Sequence, residues 1–245
     1  MAHVQVHAEG VELDSPTLVE GLPGAGLVGK IAADHLVDEF DMTYFGTVHC
    51  DGLPEVAVYH TDQTDLMPPV RLYADEERDL LVLQSDIPVS PTEASGFADC
   101  VTSWLDENDV FPLYLSGIPE ERDGIPEMHG VSTGDAADIV TDAGIEPPRE
   151  GGVITGPTGA LLSRAGQVDL DSVGLVVQTQ PQFPDPEAAR VLIKSGIEPI
   201  TGIDVDTQQL VERADEIQDA REELAKRLHE AEDESTQANP IRGFQ

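Results

Sequence analysis

Thr17-Leu18-Val19-Glu20-Gly21-Leu22-Pro23-Gly24-Ala25-Gly26-Leu27-Val28-Gly29-Lys30 decides how the chain is read. Thr17 to Leu22 is an apolar run of strand length, the glycines make a turn, and a helical pattern follows from about Leu27 to Phe40. Strand, turn and helix in that order are the unit of an α/β domain. Working outward, the unit recurs. Leu80 to Ser85 is a continuous apolar strand of the kind buried on both faces. A helix opens at Pro91-Thr92 and reaches about Asn108, and Val110 to Ser116 is the next strand. A short helix spans Gly134 to Ala143. Gly152 to Thr155 reads as a strand that turns at Gly156-Pro157-Thr158-Gly159 into the helix Ala160 to Ala165. Val173 to Thr179 is the last strong strand, followed by the helix Pro186 to Ser195. This alternation predicts an α/β fold with a mostly parallel sheet.

Two regions depart from the alternation. Met42 to His49, Glu55 to Thr61 and Pro69 to Ala74 are β-rich with little room for helices between them, so they are expected to pair antiparallel. Ile118 to Gly134 has no periodicity and reads as a long surface loop. From Thr207 to about Glu232 Gly and Pro disappear. Leu210, Ala214, Ile217, Leu224, Leu228 and Ala231 then form a heptad seam that packs either on its own domain or between subunits. The expected organisation is an α/β domain over 1–204, a C-terminal helix over 205–234 and a flexible tail over 235–245.

The charge is extreme. In 245 residues, 13 Lys and Arg face 48 Asp and Glu, a net charge of −35. A small soluble domain typically carries a net charge of magnitude ~2–8. Nucleic acid is excluded as a partner of the bulk surface, because phosphate binding needs clustered Lys and Arg; anionic membranes fail for the same reason. Disorder is excluded by a hydrophobic content of 40% gathered in dense runs. The carboxylates are spread from end to end, a pattern expected of a halophilic protein in a high-salt cytoplasm, where salt screens their repulsion. No stretch approaches the ~20 apolar residues that span a bilayer, so a soluble, cytoplasmic protein is expected. Cys50 and Cys100 lack metal-ligand spacing and leave a single disulfide open.

Gly24, Gly26 and Gly29 satisfy G-x-G-x-x-G, and Lys30 brings the loop close to a phosphate-binding pattern. Ile31, however, stands where Ser or Thr would hold Mg²⁺. An acidic residue ~20 positions on, which a dinucleotide site requires, is met loosely by Asp51. The other reading is that these glycines allow a tight turn and close helix–strand packing. Strand ends supply Asp86, Ser116, Thr155 and Thr179, where open α/β sheets place ligands. Asp86 and Thr155 are the expected pocket residues. No G-x-S-x-G elbow is present, and His3 and His7 read as solvated rather than as metal ligands. No catalytic residue, metal or cofactor is expected.

Three ordered segments carry a resemblance: Gly21 to Gly29, Gly156-Pro157-Thr158-Gly159-Ala160-Leu161-Leu162, and Phe183-Pro184-Asp185-Pro186-Glu187-Ala188-Ala189-Arg190-Val191-Leu192. Over about Thr17 to Ile200 the chain resembles the proteasome assembly chaperone family, which includes the second eukaryotic assembly chaperone and archaeal homologues. The resemblance implies a three-layer α/β/α sandwich, homo-oligomerisation, no established catalytic residues, and docking on proteasome α-subunits through a C-terminal hydrophobic-Tyr-any tail. Gly243, Phe244 and Gln245 occupy the matching positions, with Gly243 where the motif has a hydrophobic residue. The expected function is that of a non-enzymatic, protein-binding chaperone. The alternative is a small-molecule- or nucleotide-binding α/β enzyme with its site at the Gly24–Lys30 loop. From the residues alone, Asp185 is expected to cap the helix that Pro186 opens.

Overall fold

A computed structural model describes residues 3–8, 10–50, 53–59, 64–120, 124–180 and 184–212. In chain order the elements are β1 (His3–Val6), β2 (Thr17–Gly21), α1 (Val28–Glu39), β3 (Thr43–His49), β4 (Val70–Asp75), β5 (Leu80–Ser85), α2 (Ala94–Glu107), β6 (Phe111–Pro119), β7 (Met128–Thr133), α3 (Ala137–Asp142), α4 (Gly156–Val168), β8 (Ser172–Thr179), α5 (Pro186–Leu192) and α6 (Glu198–Thr201). The eight strands form one sheet in the order β1-β3-β4-β5-β2-β6-β8-β7.

The sheet is mixed rather than mostly parallel. β5, β2, β6 and β8 are parallel neighbours at its centre. The four remaining pairings, β1–β3, β3–β4, β4–β5 and β7–β8, are antiparallel. The reason lies in the connections. Parallel neighbours need a long crossover, and only the central strands have helices long enough to supply one. The antiparallel flank expected of Met42–His49 and Pro69–Ala74 is β3 with β4, while Glu55–Thr61 contributes only a bridge from Val58 to Met67 among its described residues.

Two further expectations are corrected. Met128–Thr133, inside the expected long loop, is β7. Among the described residues it is an edge strand paired with β8 alone, and it carries Gly130, Ser132 and Thr133 without the apolar run of a central strand. Conversely, residues 152–155 form no strand; Val153 is 86% exposed, and the helix begins at Gly156.

Alternation along the central strands builds two cores. Val19, Val82, Leu113 and Leu175 face α1, α3 and α5, whereas Leu18, Leu81, Leu83 and Tyr114 face α2 and α4. Helices therefore cover both faces, giving three layers with the sheet in the middle. Cys50, just past β3, is disulfide-bonded to Cys100 in α2.

Past α6, Glu198 Oε1 accepts hydrogen bonds from Lys194 Nζ (2.6 Å) and Val205 N (2.8 Å), and His35 Nε2 lies 2.7 Å from the Asp206 carbonyl. Residues 208–212 are helical, and Leu210, the first seam position, is fully buried in the α1-side core. At that position the seam packs on its own domain. Most of the expected C-terminal helix, and the whole tail with Gly243, Phe244 and Gln245, lie outside the described residues. Among the described residues no helix is long and apolar enough to cross a membrane.

Candidate functional site

The three segments that carry the resemblance converge at the carboxyl ends of β2, β6 and β8. After Gly21 the chain makes a short 3₁₀ turn, Ala25–Leu27, before α1 starts. Gly26 has φ +61° and lies so close to β8 that a Cβ there would sit 1.9 Å from Thr179 Oγ1. Only glycine meets both conditions. Asp185 fastens the same spot from the third segment. Its amide donates to the Gly26 carbonyl at 2.9 Å, and its carboxylate accepts from Thr179 Oγ1, Gln180 N and Ala188 N, each at 3.1 Å. The bond from Ala188 is the expected cap of α5. Gly21 serves packing too, since a Cβ on it would fall 2.1 Å from Ala33 Cβ of α1. At Gly21 and Gly26 the glycine pattern is accounted for by close approach of α1 to the sheet and of the turn to β8.

Beneath this junction sits a residue that sequence reading missed. Glu20 of β2 is fully buried. Its Oε1 accepts from Leu22 N (3.1 Å) and Thr158 Oγ1 (3.1 Å), and its Oε2 accepts from Leu115 N (3.0 Å). Burial pushes its carboxyl up to about 7, against the pull of those three hydrogen bonds. Thr158 belongs to the second segment, so Glu20 ties β2, β6 and the start of α4 together. The available signal was a lone carboxylate within Leu18-Val19-Glu20-Gly21-Leu22, a run otherwise apolar.

Lys30 and Asp86 meet, but away from the turn. Lys30 Nζ lies 3.0 Å from Asp34 Oδ2 and 3.3 Å from Asp86 Oδ1. Asp86 Oδ2 lies 2.6 Å from Nη1 of Arg71, a second missed residue, whose side chain is 1% exposed. Arg71 also donates to Gln84 Oε1 (2.7 Å), and Gln84 Nε2 donates to Asp34 (2.8 Å), closing a ring of charge-assisted bonds. Burial works to raise the Asp86 carboxyl, yet Arg71 and Lys30 together hold it below the ordinary carboxylate range. The Lys30 ammonium is thus engaged by two carboxylates.

Above the strand ends opens a cavity of about 490 Å³. Gly24, Gly29 and Thr155 line it, together with Ile118, Val153 and Thr158; Gly26, Lys30 and Asp86 do not. Its far wall carries His129, whose Nδ1 is buried without a hydrogen-bond partner among the described residues. No cluster of three or more His, Cys, Asp or Glu side chains is arranged to hold a metal ion among the described residues.

This architecture has relatives. An uncharacterised protein of Methanocaldococcus jannaschii is 27% identical over 218 residues, spanning 88% of each chain. The structure of Pyrococcus furiosus PbaA, described as an archaeal homolog of proteasome-assembly chaperone, aligns with a TM-score of 0.79 at 25% identity over 95% of this chain and 96% of that one. Pyrococcus furiosus PbaB, described as an archaeal proteasome activator, shares the fold with a TM-score of 0.79 at 22% identity, covering 91% and 98% of the two chains. The PAC2 family matches residues 18–225, a span that includes all three converging segments. The chain belongs to the PAC2 family.

Proposed function

We propose that this protein is a non-enzymatic, protein-binding member of its family that acts on proteasome α-subunits. The observation that carries the reading is its end-to-end likeness to PbaA, at 25% identity over 95% of the chain. The use of Gly26 for packing on Thr179, and of Lys30 for ion pairs with Asp34 and Asp86, supports it over the nucleotide-binding alternative. Gly243, Phe244 and Gln245 are the proposed contact. The Phe244 ring would fill an apolar pocket, contributing ~1.5–3 kcal/mol, and the terminal carboxylate would take a charge-assisted hydrogen bond contributing about 1.5–3 kcal/mol. One such tail binds weakly. A homo-oligomeric body presenting several tails gains ~10²–10⁴ in apparent affinity without a new contact. The charge of −35 supports a working place in a high-salt cytoplasm.

The test is surface plasmon resonance against proteasome α-rings in molar salt. Phe244→Ala, or removal of residues 243–245, is expected to abolish binding while leaving melting temperature and oligomer size unchanged. Equal binding by the wild-type and truncated chains would show that the tail is not the contact. Absence of binding by the wild-type oligomer would overturn the α-subunit reading itself.

A further inference from the structure

We infer that the cavity at the carboxyl ends of β2 and β6 is a docking pocket for an apolar side chain carried on a Lys- and Arg-rich segment of a partner protein. At about 490 Å³ it has the size of a specific recognition pocket, typically ~300–1,000 Å³. Two of its lining residues leave apolar surface in water: Ile118 is 41% exposed and Val153 is 86% exposed. Val153 sits on a segment that joins no strand, so neither sheet pairing nor burial in the core explains an aliphatic side chain there. Exposed apolar groups gathered around a concavity mark an interaction site.

Charge selects the occupant. Glu150 lines the cavity, and among the described residues no Lys or Arg does. The neighbouring Arg149 is occupied by Glu127 at 3.9 Å and Glu146 at 3.5 Å. The amino end of α4 also borders the cavity and would by itself favour an anion. The Thr158 hydroxyl at that end is already committed, donating to the buried Glu20. A phosphate or a carboxylate would enter beside the Glu150 carboxylate with no Lys or Arg among the described lining residues to meet it, only the His129 imidazole. A second copy of this chain does not suit this pocket, because with 13 Lys and Arg against 48 Asp and Glu it offers no Lys- and Arg-rich segment, whatever its other surfaces pair with. A basic segment with an apolar tip satisfies both the walls and the rim. The pocket is built from residues 22–176 and the proposed proteasome contact is residues 243–245, so the two tests change different residues and fail independently.

The experiment uses the full chain, labelled with ¹⁵N and ¹³C-methyl groups, at the lowest salt at which it stays folded. The probe is a blocked pentapeptide with a central leucine flanked by two lysines on each side. It is expected to shift the methyl signals of Ile118, Val153 and Ile154. Replacing its leucine by alanine is expected to weaken binding at least about fivefold, from the lost apolar burial. Val153→Ala and Glu150→Lys, both at exposed positions, are each expected to weaken the leucine peptide severalfold. Unshifted methyl signals, equal binding of the alanine peptide, or equal binding of a glutamate-flanked peptide would each overturn the inference. So would saturable binding of 3-methylbutanol in the cavity with none of the peptide, which would make it a small-ligand pocket instead.

Discussion

Glu20→Gln isolates the most unusual electrostatic feature of the fold. The folded-state carboxyl titrates at about 7, against an ordinary value of 4.5, because the group is fully buried. The sign follows from proton counting. Between about 4.5 and 7 the native state holds a proton that the unfolded chain has released. Stability from this group is therefore fully present below 4.5 and is lost as pH rises through 7. The difference of about 2.5 pH units corresponds to roughly 3 kcal/mol. Glutamine does not titrate, so it removes the slope. It also changes the hydrogen bonds: the amide oxygen can replace Oε1 as acceptor from Leu22 and Thr158, but the amide nitrogen then faces the N–H of Leu115. That mismatch costs about 1–3 kcal/mol. It is independent of pH and displaces the curve without tilting it. The assay is denaturant unfolding at fixed molar salt from about pH 4.5 to 8, followed by the fluorescence of Trp104, the single tryptophan. The wild-type minus variant stability should fall by roughly 3 kcal/mol across that range. A difference flat to within about 0.5 kcal/mol, the scale of a neutral substitution, would refute a titrating Glu20.

Gly26→Ala should destabilise by at least about 2 kcal/mol in the same unfolding assay, because φ is +61° and the new Cβ would collide with Thr179. Gly24→Ala, with nothing within 4 Å of its Cβ, should stay within about 0.5 kcal/mol. Asp86→Ala leaves Arg71 buried without its carboxylate and should lose about 3–5 kcal/mol at neutral pH. Since the Asp86 carboxyl is held low in the fold, that loss should shrink as pH falls below the ordinary carboxylate value and through the folded one. Thermal melts in a KCl series should show the midpoint dropping as salt falls from molar to about 0.1 M, where the Debye length reaches ~10 Å; a midpoint that is flat or rises on dilution would show that repulsion among 48 carboxylates is not limiting.

Period and punctuation in the sequence were enough to locate β2, α1, β5, α2, β6, β8 and α5. Each is a run buried on one or both faces, so its apolar pattern is dictated by the core it enters. The Asp185 cap was legible for a similar reason: its acceptor and Ala188 are three residues apart in one helical turn. Edge strand β7 was not legible, because half of its surface answers to solvent rather than to a core. Val153 misled in the opposite direction, an aliphatic residue placed at the mouth of a cavity and not in a strand.

What the sequence by itself determined is the α/β class, the acidic surface and the three segments that mark the family, since each is a local or compositional property. The tertiary structure alone decided that those segments meet. Gly26 packs on Thr179, Asp185 binds Gly26, and Thr158 donates to Glu20 across 138 positions of sequence. It likewise decided that Lys30 faces Asp34 and Asp86 rather than the turn it follows, and that Arg71 and Glu20 are buried. The physical reason is that burial, and with it the strength of a charge and the direction of a hydrogen bond, depends on what the folded chain brings alongside a residue, and strand order, which sets those neighbours, is not written in any local pattern.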